Sequence, residues 1–376
     1  MSNQMKKLIG WLTVLVLIVV YVVSDSDLMW SIANKRYHLN TMWASDKYRY
    51  GDLYGFSYLN RYKYPVNLVE GSGKDTSGAR DCGVKRDINL YSICDSYLFS
   101  FVRGEKDFCR VNKYAQIRSI DDGVFNVVLD KSKINVLLIE STERQIRNNL
   151  GDSAFLGERL SSGGEREMLV PNKPTFDITR FSLNRGINTN LEFNLFDYKF
   201  LTPIKEFKAW FNRTVFNRVD GDVSVSSDGA RLYYRPTTDT ADGSLSSFVT
   251  VSQASMDQYI NNLNAVAARY KRMGFDQIYF CGIPNPCTVY ESGYRKYNGF
   301  LPRLQSGSHP AFQFVDIYSP FMIDRGVDRY EKSDTHWNQA GFKSWLEIFN
   351  KILDTIPGPV IRHLPIRPPG VSLPKA

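Results

Sequence analysis

The run Ile134-Asn135-Val136-Leu137-Leu138-Ile139 is apolar almost throughout and stops abruptly at Glu140-Ser141-Thr142-Glu143-Arg144. A strand with one wet face alternates polar and apolar residues. A strand that is apolar throughout is covered on both faces, as the strands of parallel sheets are. Ile88 to Ile93, Gln277 to Ile283 and Phe314 to Tyr318 read as further strands, and Gly123 to Leu129 as more strand material. Between them, Ser252 to Met273 predicts a helix. Ser252 can cap it, Ile260, Leu263, Ala267 and Tyr270 form its stripe, and Gly274 ends it. A second helix starts at Asn338, with Trp345, Ile348, Phe349 and Ile352 on one face. Strands alternating with helices predict an α/β chain built on a central parallel sheet.

Leu150 to Phe248 breaks this rhythm. It is polar, rich in Gly and Asn, and holds a hairpin pattern from Val223-Ser224-Val225 to Leu232-Tyr233-Tyr234. We read it as an insertion between strands, or a cap over the site, rather than a second catalytic domain.

Open parallel sheets place their sites at the C-terminal edge of the strands. Two serines fall there. Cys94-Asp95-Ser96 follows the first strand and precedes an apolar stretch, Tyr97 to Val102, that predicts a helix. The amides at such a helix start lie beside Ser96 and can stabilise an oxyanion. By itself Ser96 reads as a helix cap. Ser141, at the end of the second strand, is the rival nucleophile; Ser96 has the better turn geometry.

The partner of a nucleophilic hydroxyl stands near the C-terminus, in Asp334-Thr335-His336-Trp337. In an extended loop, residues i and i+2 point to one side. A carboxylate and an imidazole held this way can act together. The carboxylate fixes the tautomer and the imidazole takes the hydroxyl proton.

The N-terminus sets the compartment. Lys6 and Lys7 precede an apolar run from Leu8 to Val23. That order keeps the N-terminus cytoplasmic and exports the rest. The run is somewhat short of the ~20 residues of a comfortable span. It is either an uncleaved anchor or a cleaved signal peptide with a site near Val22 and Ser24. We favour the anchor, since no A-x-A stands there. The chain then divides into residues 1–24 (anchor or signal), 25–80 (aromatic-rich lead-in), 81–356 (catalytic domain, with 150–248 inserted) and 357–376 (Pro-rich tail). In the lead-in, Tyr48, Tyr50, Tyr54, Tyr58, Tyr62 and Tyr64 interleave with Arg49, Arg61 and Lys63. This is packing between membrane and domain, or a stacking surface for acidic sugars.

The formal net charge is +8. With no RNP, finger or similar pattern, we do not read it as nucleic-acid binding. Of five cysteines, an odd count that leaves one free or paired between chains, Cys281 and Cys287 are spaced to close a small loop and Cys82 can meet Cys109, while the sequence alone does not fix the pairing. Only four histidines and no C-x-x-C argue against a structural zinc, and no metal or other cofactor is expected.

Asp95-Ser96 after the first strand, with Asp334-Thr335-His336 before the last helix, resembles the SGNH hydrolase/acyltransferase superfamily. Asp334-Thr335-His336-Trp337 is similar to the D-x-H-W signature of alginate O-acetyltransferases of the AlgJ/AlgX type. The strand ending in Pro284-Asn285-Pro286 and the following Tyr297-Asn298 are similar too. The likeness covers about Asp87 to Asp354. It implies an SGNH/flavodoxin-like three-layer sandwich outside the cytoplasmic membrane, with Ser96 as nucleophile, His336 as base and Asp334 as its orienter. It also implies acetyl transfer to a polysaccharide, with a membrane-bound O-acyltransferase partner supplying the acetyl group. Two features depart from the pattern. In the alginate proteins the D-x-H-W block precedes the serine, whereas here Ser96 comes first. Cys94 stands where Gly-Asp-Ser has Gly, and there is no clean G-x-N-D block. The side-chain part of the oxyanion hole is thus unassigned, with Arg144 and Asn285 as candidates. Trp337 and Tyr297 are the candidates for substrate contact.

Overall fold

The computed structural model describes residues 2–24, 42, 44–46, 49–66, 85–119, 124–162, 196–219, 221–241, 243 and 245–358. Cys82, part of the insertion and nearly all of the Pro-rich tail lie outside them. The strands in chain order are β1 Ile88–Cys94, β2 Val111–Arg118, β3 Phe125–Val127, β4 Ile134–Thr142, β5 Leu160–Ser162, β6 Val223–Val225, β7 Leu232–Tyr234, β8 Gln277–Ile283 and β9 Gln313–Val315.

Five of these form one sheet in the order β2-β1-β4-β8-β9, and every neighbouring pair is parallel. Ranked among themselves the strands run 2-1-3-4-5, one of the two common doubly wound orders. Successive residues of a strand face opposite sides, and here both sides are covered. Ile88, Leu90, Val136 and Leu138 enter one core with Trp345, Phe349 and Leu353 of the helix Gln339–Thr355. Tyr91, Ile93, Leu137 and Ile139 enter the other with Leu263, Ala267 and Tyr270 of the helix Gln253–Met273. Hence β1 and β4 are buried at every position.

Both long helices carry the expected caps. Ser252 accepts from the Ser255 amide, and Gly274 closes the helix at φ 107. Asn338 accepts from the amides of Ala340 and Gly341.

Elsewhere the structure differs from the sequence reading. The segment 124–129 does not join the main sheet: β3 pairs with β5 in a small sheet of its own. β9 stops at Val315, and Tyr318 opens the helix Tyr318–Ile323. The helix after Asp95 is one turn, Ser96–Phe99. Cys281 and Cys287 are free and buried, on β8 and on the helix Pro286–Tyr290. Cys109 is disulfide-bonded; Cys82, its expected partner, is not among the described residues.

The described part of the lead-in packs into the body. Leu53, Leu59 and Tyr62 pack with Ala209, Val223 and Leu232 in a third core. Residues 49–66 thus pack with the part of the insertion that carries Ala209 and the antiparallel β6–β7 hairpin, while Leu150, Leu156 and Leu160 join the core of the main sheet. At the N-terminus, the helix Asn3–Ser24 is long and apolar enough to cross a membrane.

Candidate functional site

β1 ends at Cys94, and Asp95 turns the chain. Its Oδ1 accepts the Tyr97 amide at 2.9 Å, and Ser96 opens the short helix. Asp95 Oδ2 accepts the Thr142 amide at 2.8 Å, and the Asp95 amide donates to Glu140 Oε2 at 2.9 Å. Asp95 therefore ties the end of β1 to the end of β4. This is where the strand order reverses, the usual crevice of a doubly wound sheet. Glu140 is fully buried. Burial first, and the Asp95 carboxylate next, push its pKa well above the usual carboxyl range.

The second half of the site comes from the loop before the last helix. His336 Nε2 lies 2.7 Å from Ser96 Oγ, and His336 Nδ1 lies 2.6 Å from Asp334 Oδ1. With Asp334 ionised, Nδ1–H donates to it and Nε2 is left to accept from the Ser96 hydroxyl. The electrostatics agree. Burial raises Asp334, but the His336 charge and hydrogen bond outweigh it and hold the carboxyl below its usual value. Burial lowers His336, but the Asp334 carboxylate outweighs it and the imidazole pKa ends above its usual value.

Two sets of contacts hold this loop. On one side is the helix Asp52–Ser57. The Asp52 amide donates to Asp334 Oδ2 at 2.8 Å. Asp52 Oδ1 accepts the Thr335 amide at 2.8 Å, and Oδ2 accepts the Thr335 hydroxyl at 2.6 Å. The amides of Leu53 and Tyr54 both donate to the Ser333 carbonyl, at 3.1 and 3.0 Å. The approach needs Gly51, which sits at φ 95 with its hydrogen against the Ser333 carbonyl, where a Cβ would collide. Burial, then the nearby Asp334 charge, push Asp52 up to about 6.

On the other side the two halves are stitched crosswise. The Tyr97 hydroxyl donates to the Thr335 carbonyl, and the Trp337 indole N–H donates to the Tyr97 carbonyl at 3.1 Å. The neighbour of the serine thus holds the histidine's loop, and the neighbour of the histidine holds the serine's.

The chain matches no family model, no curated protein and no solved structure. Its site is read from its own geometry.

Of the residues singled out from sequence, Ser96, His336 and Asp334 come together. Arg144 stands at their edge, its Nη2 3.5 Å from Thr335 Oγ1 and its guanidinium 5.8 Å from the centre of the Tyr97 ring. The others lie elsewhere. Trp337 is fully buried in the core and offers substrate no surface. Tyr297 stacks on Tyr318, and its hydroxyl accepts the Leu301 amide. Asn285 is buried, with its amide on Glu143 and its side chain on Ser247. Ser141 is buried and accepts from Asn149. Asp52, Gly51, Tyr97 and Glu140 were missed; the signals for them were Gly-Asp ahead of a short apolar turn, and a lone acid closing an apolar strand.

Asp52, Asp334 and His336 also offer three ligand atoms within 4.8 Å of one another. Each of the four carboxylate oxygens already accepts a hydrogen bond, and Nδ1 is turned to Asp334. That pattern favours a proton relay over a shared cation.

A hydroxyl donating to an oriented imidazole is an activated nucleophile. The Tyr97 amide is taken by Asp95, while the Ser96 amide has no acceptor among the described residues. The Ser96 N–H is thus the backbone donor open to an oxyanion on Ser96.

Proposed function

We propose that the protein is a membrane-anchored O-acyltransferase of the SGNH type, moving an acetyl group through Ser96 to a polysaccharide hydroxyl outside the cytoplasm. The observation that carries the reading is the Ser96–His336–Asp334 relay at 2.7 and 2.6 Å. The doubly wound strand order and the apolar N-terminal helix support it.

In the first half-reaction, Ser96 Oγ bonds to the acyl carbon as its proton passes to His336 Nε2. Collapse of the tetrahedral adduct breaks the bond to the donor's leaving group, which takes that proton. In the second, a sugar hydroxyl gives its proton to His336 and its oxygen bonds to the acyl carbon. Ser96 then leaves, taking the proton back. Asp334 stays ionised and stabilises the imidazolium each time. The chemistry calls on no cofactor. A membrane-bound O-acyltransferase supplying acetyl belongs to the reading through the resemblance.

The test is intact-mass analysis of the chain with a chromogenic acetyl ester, with and without glycan oligomers. An acetyl adduct that Ser96→Ala abolishes, with acetyl passing to glycan, is the expected result. Acetate release that glycan does not divert makes the protein an esterase. A folded protein with neither adduct nor turnover sinks both readings and leaves a polysaccharide-assembly role.

A further inference from the structure

The helix Thr202–Phe216 turns its apolar stripe outward. Ile204, Phe207, Phe211 and Val215 follow at i, i+3, i+7 and i+11, and are 66%, 63%, 41% and 55% exposed. Its body-facing side is Ala209 and Thr202. Its one acid, Glu206, is turned inward to the Tyr54 hydroxyl at 2.5 Å and to Lys63 at 2.8 Å. Lys208 and Arg213 remain exposed, so the outer face is apolar and basic. A surface helix normally buries its stripe, and an exposed apolar patch of this kind marks a contact.

The position of the helix says with what. The Lys199 amide, just ahead of it, donates to the Ala44 carbonyl at 2.7 Å, and Ser45 donates to Asp197. The chain coming from the N-terminal apolar helix therefore joins the body at the base of this second helix. Ser24 and Ala44 are 20 positions apart, which bounds their separation at roughly 70 Å. With the first helix in a bilayer, this end of the body is held near the lipid.

We propose that the helix Thr202–Phe216 is an interfacial helix. It lies in the headgroup region of the membrane that the N-terminal helix crosses, with Ile204, Phe207, Phe211 and Val215 in the acyl boundary. Aromatic and aliphatic residues on one face with Lys and Arg beside them suit that boundary. The basic groups suit anionic headgroups.

The test uses the full chain in nanodiscs of phosphatidylcholine with phosphatidylglycerol. Phe207→Cys and Phe211→Cys carry an environment-sensitive dye, and Val128→Cys and Ile323→Cys, at 75% and 86% exposed positions, serve as references. Cys94, Cys281 and Cys287 are buried, which keeps their labelling low. The expected result is a blue-shifted emission at 207 and 211, quenched by lipids with a nitroxide high on the acyl chain, and neither effect at 128 or 323. The shift at 211 should be lost when Phe207→Glu is added and circular dichroism shows the fold intact. Emission at 207 and 211 that matches the references, with no lipid quenching, overturns the proposal and leaves the face to a protein partner.

Discussion

The backbone amide of Asp52 donates to the Asp334 carboxylate across 282 positions of sequence, while the Asp52 carboxylate accepts from Thr335 beyond it. Two acids thus share one loop without sharing a proton. The one beside the imidazole stays ionised; the one behind it is pushed up to about 6.

Loss of any relay member should remove most turnover. Ser96→Ala and His336→Ala are expected to lower kcat on a chromogenic acetyl ester by about 10³-fold or more, and Asp334→Asn by roughly 10³- to 10⁴-fold. Combining two of them should cost little beyond the worse single change, since the residues act as a unit. Additive losses would show that the relay is not the engine.

Activity and stability should slope in opposite directions where His336 and the raised carboxyls titrate together. His336 must be neutral to accept a proton, so rate rises as pH passes its raised pKa. Asp52, at about 6, and Glu331, at about 7 through burial and then the Asp334 charge, have folded pKa values above their ordinary ones. Such groups bind more protons folded than unfolded, so stability falls as pH rises from the ordinary carboxyl range through those values. Thermal unfolding at stepped pH checks this. Asp52→Asn together with Glu331→Gln should flatten the dependence. Asp52→Asn should also move the acid limb of the rate profile to lower pH, because the Asp52 charge helps to raise His336.

Gly51→Ala should be costly for its size. The residue sits at φ 95, and the added carbon meets the Ser333 carbonyl. A loss of about 1–3 kcal/mol or more is expected, with a larger fall in kcat than in KM because the Asp334 loop shifts. Denaturant melts beside steady-state kinetics check it, and a neutral result would mean that the Asp52 helix does not hold the loop.

Trp337→Phe should act on stability rather than on substrate. The change leaves the buried Tyr97 carbonyl without its indole donor, at a cost of about 1–3 kcal/mol. KM for ester and for glycan should stay near the native value. A several-fold rise in KM with unchanged stability would restore this tryptophan as a substrate contact.

What could be read in advance follows from how local each constraint is. β4 was legible because coverage on both faces keeps Val136 to Ile139 an unbroken apolar run, and β1 because Ile88, Leu90, Tyr91 and Ile93 face the two cores. Asp334 and His336 were legible because two residues in one loop are neighbours whatever the fold. Ser96 needed the further step of placing strand ends at one sheet edge. Asp52 was hidden. Its partners are distant in sequence, and its strongest sign, the left-handed backbone at Gly51, is a conformation rather than a composition. β2 was missed because an edge strand with Val111 and Ile117 as its only fully buried residues carries no apolar run. Trp337 misled because an aromatic beside a reactive pair reads as a platform for substrate, and only its complete burial shows it to be a strut.

Ser96 and His336 stand 240 residues apart, and synthesis delivers them in that order. Residues 1 to 335 can be made while Ser96 still lacks its imidazole partner. The imidazole arrives only with the last stretch before the terminal helix. On the proposed reading, a chain cut short anywhere before His336 would leave Ser96 without its base. If the proposed chemistry holds, reactivity would come only with the last stretch of the domain.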